Sequence, residues 1–249
     1  MITDSFDKSQ PIIAPKDMYG EQRHICDVCI ITFSKVIFEA VLKEYPCEKV
    51  AEICICNGNI PIYTFRFAGK TVAIYLSAIG SALAATCAIE ANWVMGARKF
   101  VMFGSAGSLN QAVTAGKYVI PTAAYRDEGM SYHYAEPQDY VAVPGAGKVA
   151  EVFDGLKVPY VKGRCWTTDA IYRETREQMR RRCEEGCIAV EMELAGVQAV
   201  CDYYGFELYD FLVTGDVLDQ PEYSIGTLPA ANHSLDKLHL ALAIAAALE

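Results

Sequence analysis

The sequence predicts an α/β layered fold, and three observations carry that prediction. Apolar runs of strand length alternate with stretches of helical spacing along most of the chain. The strand runs are short and apolar throughout, as in DVCIITF, KFVMF and CIAV, which suits a sheet covered on both faces. The 249 residues are 52% hydrophobic, enough for one core, so residues 1–249 read as a single domain.

The elements follow in order. Residues 1–24 read as an irregular N-terminal arm. DVCIITF is a buried strand and SKVIFEAVLKEY a helix. VAEICIC, PIYTFRF and TVAIYLS are three strands, separated by turns at Asn57-Gly58-Asn59 and Ala68-Gly69-Lys70. The spacing predicts a helix over Ser81–Met95, with Gly96 as its C-cap. KFVMF is a strand that ends in a Gly104-Ser105-Ala106-Gly107 loop, and KYVIPTAAY is another strand. After the polar and aromatic loop RDEGMSYHY, a helix is predicted in PGAGKVAEVFDGL, a strand in PYVKGRCWT and a charged helix in REQMRRRCEEG. CIAV, ELAGVQAVCDYY and FELYDFLVTGD then read as strand, helix and strand, and the last twenty residues as one helix.

Composition narrows the function. A net charge of −9 with scattered Lys and Arg lacks the basic footprint of a nucleic-acid binder. No apolar run reaches the roughly 18–20 residues of a membrane span. MITDSFDKSQ lacks a basic region followed by an apolar run, so no export signal is expected. Ten cysteines in that setting point to free thiols and a cytoplasmic protein. The pairs Cys26/Cys29 and Cys54/Cys56 sit in strand-like runs without a glycine knuckle, which argues against a zinc site. No metal is expected.

In α/β sheets ligands collect at the carboxyl ends of strands, and three segments lie there: GSAG, EME and GDVLDQ. Gly104 and Ser105 offer backbone N–H groups and a hydroxyl to an anion. Glu191 and Glu193 open a helix; they serve either its dipole or a ligand that offers two hydroxyls. Asp216 ends a buried strand, where a raised pKa suits a general acid. Trp166 is either core or a flat wall for a heterocycle. Arg126 and His133 belong to a loop suited to the site or to a subunit contact.

Taken in order, GSAGSLN, IPTAAYRDEGMSYHY, WTTDAIYRETRE, VEMELAG and TGDVLD resemble the nucleoside phosphorylase and uridine phosphorylase superfamily across residues 25–248. The resemblance implies one α/β domain around a mixed, partly barrel-like sheet flanked by helices. It implies that phosphate, as co-substrate and without a cofactor, displaces the base of a nucleoside to give ribose 1-phosphate. It places Glu193 on the ribose diol, Met192 under the sugar and Glu191 beside them. It places Ser105 on phosphate, Trp166 against the base and Asp216 on purine N7. It also implies a homo-oligomer, dimer to hexamer, whose subunits share active sites.

The chain departs from the family pattern at the anion site. Bacterial members carry an arginine two residues before the glycine loop; Met102 stands there. The glycine-rich loop after the first strand is replaced by ITFSK, whose Lys35 is the nearest cation. No arginine occurs near Asn57-Gly58-Asn59, where a neighbouring subunit would lend one. GSAG and DVLDQ also resemble methylthioadenosine nucleosidases, yet ITFSKVI lacks the glutamate that would activate water. Arg176 and Gln178 are the residue types with which uridine phosphorylases read uracil, in shifted places, whereas Asp216 favours a purine. The readings to be separated are phosphorylase, hydrolase and a nucleoside-binding protein without turnover.

Overall fold

The computed structural model describes residues 2–56 and 58–249. Its strands are β1 (Val28–Thr32), β2 (Glu48–Ile53), β3 (Ile60–Phe67), β4 (Lys70–Leu76), β5 (Lys99–Ser108), β6 (Tyr118–Asp127), β7 (Tyr140–Ala142), β8 (Tyr160–Thr168), β9 (Cys187–Glu191) and β10 (Glu207–Val217). The helices are α1 (Pro15–Tyr19), α2 (Lys35–Glu44), α3 (Ser81–Met95), α4 (Gln111–Thr114), α5 (Ala146–Gly155), α6 (Arg176–Glu184), α7 (Leu194–Tyr204), α8 (Leu228–His233) and α9 (Asp236–Ala247).

All the strands belong to one mixed sheet, ordered β10-β6-β8-β9-β5-β1-β4-β3-β2 with β7 on β6. β10 also pairs with β5, so β5, β10, β6, β8 and β9 close a five-stranded barrel while β1 to β4 continue as an open wing. The expected partly barrel-like sheet is therefore present. β5 is the hinge of this arrangement. On one side it pairs with β10 along its length. On the other it pairs with β1 from Lys99 to Phe103, then with β9 only at Gly107 and Ser108. Gly104, Ser105 and Ala106 have no strand on that edge.

Several expectations need correction. GSAG is not a loop after a strand; it is the second half of β5, held extended by β10. The last twenty residues do not form one helix. Extended backbone at Ser234 separates α8 from α9 and turns Asn232 and Lys237 into one cavity. The N-terminal arm contains α1 and is docked: Tyr19 donates to Glu90 Oε2 at 2.8 Å, and Trp93 Nε1 donates to the Gly20 carbonyl at 2.9 Å. β2 stops at Ile53, leaving Cys54 and Cys56 exposed. The turn expected from Asn57 falls on a residue outside those described. RDEGMSYHY continues β6 to Asp127 and then forms a 3-10 turn at Met130–His133.

The backbones of the β7–α5 connection and β10 touch. A Cβ placed on Gly145 would lie 2.1 Å from the Leu208 carbonyl oxygen, whereas one on Gly147 meets nothing within 4 Å. Gly145→Ala is expected to lower stability by at least about 2 kcal/mol. Gly147→Ala, inside the same helix, should stabilise by up to about 1 kcal/mol. Urea unfolding of the two variants checks both.

Candidate active site

The open edge of β5 floors a cavity of about 370 Å³. The carboxyl end of β9 brings Glu191, Met192 and Glu193 to it, β10 brings Asp216, and α8–α9 bring Asn232, His233 and Lys237. A second cavity of about 490 Å³ adjoins it, lined by Tyr172, Arg176, Met179, Leu218 and Tyr223; Ile171, Glu174 and Asp216 line both.

The two glutamates of the EME segment part company at the strand end. Glu191 is the last residue of β9, and its carboxylate closes the N-terminus of α7. Oε2 accepts from the backbone N–H groups of Glu193 and Leu194, each at 2.7 Å, and Oε1 accepts from Thr167 Oγ1. It therefore supplies a cap that the N-cap residue itself does not make. Glu193 faces the cavity. Its Oε1 accepts from the Gly80 N–H at 2.6 Å, at the N-terminus of α3, where the helix dipole favours negative charge. Gly80 has φ +99°, open to glycine without strain. Burial pushes both carboxyls above the ordinary range; Glu191's charge raises Glu193 further, while hydrogen bonds oppose the rise at Glu191. Asp210 is fully buried on the same strand face as Leu212, with both oxygens unpaired, and burial raises it well above the carboxylate range.

Asp216 lies at the irregularity of β10 between Thr214 and Val217, a distortion that re-aims its side chain. Its Oδ2 accepts from the Tyr223 hydroxyl at 3.2 Å, and burial raises its pKa. Its Oδ1 would be 3.4 Å from a Cβ on Gly107, where Leu218 and Val190 would be closer still. Glu174 is pushed up to about 7 by burial and by the charge of Asp216.

At the other end Ser105 Oγ donates to Asn232 Oδ1, and Lys237 Nζ donates to the Asn232 carbonyl at 3.3 Å. Lys237 is 2% exposed and has no carboxylate partner among the described residues. Burial pulls its pKa down to about 8. Sequence reasoning missed it. An alternation of apolar residues around a lone lysine in KLHLALAIA was its only trace.

Other candidates are placed elsewhere. Lys35 is 75% exposed at its side chain and pairs with Glu39 at 3.6 Å, because Ser34 starts α2 and turns residue 35 to solvent. Trp166 does not wall the cavity. Thr167 points inward to Glu191, so the two-residue period of β8 sends Trp166 outward, where Nε1 donates to Asp127 Oδ2 at 2.9 Å. Arg126 is buried and ties up its own loop, donating to Ser131 Oγ and to the carbonyls of Ala135, Glu136 and Gln138. His133 is exposed and lines neither cavity. Arg176 donates to the Gln220 and Pro221 carbonyls, and Gln178 completes a capping box with Thr175. The heterocycle wall is available instead from Ile171, Tyr172, Met179 and Tyr223. No cluster of three or more His, Cys, Asp or Glu among the described residues is arranged for a metal ion.

The cavity thus offers a cation with hydroxyl and amide donors at one end, an acceptor carboxyl in the middle, and a proton-holding carboxyl at the other end. Glu191→Ala should cost about 2–3 kcal/mol, since it strands two helix N–H groups and a buried hydroxyl. Glu193→Gln should change stability by less than about 0.5 kcal/mol. Thermal and urea denaturation separate these roles.

A sequence model of the Phosphorylase superfamily matches residues 27–245. A DeoD-type purine nucleoside phosphorylase of Colwellia psychrerythraea is 27% identical over 161 residues, 64% of this chain and 69% of its own. A guanosine phosphorylase of Halorubrum lacusprofundi is 28% identical over 163 residues, covering 61% and 66%. Among solved structures, a futalosine hydrolase of Helicobacter pylori superposes with TM-score 0.73 at 15% identity, over 90% of this chain and 99% of its own. An AMP nucleosidase from Bacteroides thetaiotaomicron does so with TM-score 0.70 at 17% identity, over 89% and 87%. Both share the fold. Together with a carboxyl-lined cavity at the open edge of β5, the match over residues 27–245 assigns the chain to the Phosphorylase superfamily.

Proposed function

We propose that the protein is a nucleoside phosphorylase that cleaves the N-glycosidic bond of a purine nucleoside with inorganic phosphate, giving free base and ribose 1-phosphate. The observation that carries this reading is Lys237: a buried ammonium without a carboxylate, beside Ser105 and the open edge of β5. A buried cation needs an anion, and phosphate is the anion that this reaction supplies. The curated relatives, named as purine nucleoside and guanosine phosphorylases, support the same reading.

In this reading Lys237 and the backbone at Gly104 hold the phosphate dianion, and the Ser105 hydroxyl turns from Asn232 Oδ1 to donate to it. Glu193 accepts hydrogen bonds from the ribose 2′- and 3′-hydroxyls, which favours its ionised form against the burial that raises it. Met192 packs under the sugar, and Glu191 holds the turn that carries both. The base enters the second cavity beside Asp216. A phosphate oxygen forms the new bond to C1′ as the C1′–N9 bond breaks. Its electron pair leaves with the base, which takes the Asp216 proton at N7, and solvent reprotonates Asp216. Stabilising the departing base only as negative charge develops on it lowers the barrier rather than tightening the ground state. No metal or cofactor takes part. Arg176 and Gln178 are committed to other contacts, which supports a purine over uracil.

A nucleosidase is the second reading. Four carboxyls, Glu174, Glu191, Glu193 and Asp216, line the cavity, and such a site can also orient water. Product analysis with inosine, adenosine, guanosine and uridine, with and without phosphate, separates the readings. Phosphate-dependent release of base with ribose 1-phosphate is expected. Equal cleavage without phosphate means a hydrolase, and binding without turnover a binding protein.

Lys237→Met keeps the buried stem and removes the charge. It should raise the KM for phosphate at least about tenfold while leaving stability equal or higher. Free Lys237 loses its proton as pH rises through about 8, so phosphate affinity should fall above that pH in the wild type and stay flat in the variant. Exposed Ile79, Ile171, Tyr172 and Tyr223 support a homo-oligomer in which a second copy closes the mouth. Light scattering should give at least a dimer.

A further inference from the structure

The anion end of the cavity also holds an imidazole. His233, the last residue of α8, lines the cavity with Ser34, Gly104, Ser105 and Lys237. Its Nδ1 lies 2.9 Å from Ser34 Oγ. Among the described residues the ring has no other hydrogen bond or ion pair, so no cavity carboxyl is bonded to it.

The Ser34 contact places the hydrogen on the ring. Ser34 is the N-cap of α2, and its Oγ already accepts from the Ile37 N–H at 3.3 Å. Ser34 is 5% exposed, so its hydroxyl hydrogen needs an acceptor inside the protein. The one acceptor bonded to it among the described residues is Nδ1 of His233. The hydroxyl therefore donates, Nδ1 stays bare, and the neutral ring carries its hydrogen on Nε2. The opposite tautomer would give Ser34 Oγ two donors and leave its own hydrogen buried without a partner. Nε2–H lies across the ring from the Ser34 contact and has no partner among the described residues.

A free donor in the same cavity as a buried ammonium suits one ligand for both. Lys237 supplies a single charge, whereas a tetrahedral oxyanion presents several acceptor oxygens. No second Lys or Arg lines this cavity among the described residues: Met102 stands where an arginine would add donors, and Lys35 pairs with Glu39 in solvent. A neutral N–H satisfies a further oxygen without the cost of burying a second charge.

We propose that His233 is an anion-binding residue: its Nε2–H donates to the phosphate that Lys237 receives, and Ser34 holds the tautomer that lets it donate. This rests on the phosphorylase reading above and deepens it.

Two substitutions separate the two ring nitrogens. Asparagine at 233 keeps a polar atom near the place of Nδ1 and removes Nε2. Glutamine reaches the place of Nε2 and gives up the Ser34 contact. His233→Asn should raise the calorimetric Kd for inorganic phosphate at least about tenfold while the melting temperature holds. His233→Gln should bind phosphate within about threefold of wild type yet melt lower, because the Ser34 hydroxyl is left unpaired. Where phosphate binds only after the nucleoside, its KM in the two variants gives the same reading. Nitrogen NMR of the wild type should show Nδ1 bare and Nε2 protonated, with the Nε2 resonance moving when phosphate is added. Unchanged phosphate affinity in His233→Asn, or a ring protonated on Nδ1 alone, would overturn the assignment and leave the phosphorylase reading standing. Phosphate that binds through Nε2 while cleavage ignores it would sustain the assignment, and the phosphorylase reading would fall alone. Absence of both phosphate binding and phosphate-dependent cleavage would overturn the two together.

Discussion

The arrangement depends on one strand that changes its neighbour. β5 must pair with β10 to close the barrel and with β1 to carry the open wing, and it cannot pair with β1 and β9 at the same residues. Between the two, three residues are held extended from one side only. Backbone N–H and C=O groups left unpaired inside a protein are costly, so such an edge is tolerated where a ligand or water can satisfy it. The helices α8 and α9, the β9–α7 turn and the end of β10 all converge there. Sheet topology and the position of the cavity are therefore one fact.

In the proposed phosphorolysis, charge is distributed along the cavity in the order the reaction needs it. Among the described residues, the one Lys or Arg lining the β5 cavity is Lys237, and the carboxyls spread away from it, with Glu174 and Asp216 shared with the adjoining cavity. Each of these groups is shifted in the direction that neutralises it when the cavity is empty. A substrate carrying an anion at one end, hydroxyl donors in the middle and a basic nitrogen at the other reverses those shifts at the lysine and the diol-facing glutamate. Recognition and proton placement come from the same burial.

The fold was largely legible because its signals are local. Short apolar runs and intervening helical periods follow from which faces are covered, and the order of motifs carried the family. The barrel closure came through resemblance alone, since β10–β5 pairing joins residues about a hundred positions apart. At the site, Ser105, Glu193 and Asp216 could be singled out because glycines or strand ends mark them, and they line one cavity. Glu191 could not be separated from Glu193 by spacing, because a strand end and a helix start divide the pair. Trp166 misled because its residue type suits a base wall while the strand period points it outward. Lys35 misled because nearness along the chain replaced nearness in space. Lys237 stayed hidden in an apolar helix more than a hundred residues from Ser105, where a single lysine looks like a surface residue.

The break at Ser234 gives the molecule a weak point with a use. Docking α9 takes the Lys237 ammonium out of water for one carbonyl hydrogen bond, while Leu238, Leu242 and Ile244 bury the rest of the helix, so the cost falls on its first turn. Segments of low local stability are the first to open in native-state fluctuations. An anion that binds only the docked turn adds its binding free energy to that docking. In the phosphorylase reading, the lysine that receives the anion also sets how firmly the first turn of α9 is seated.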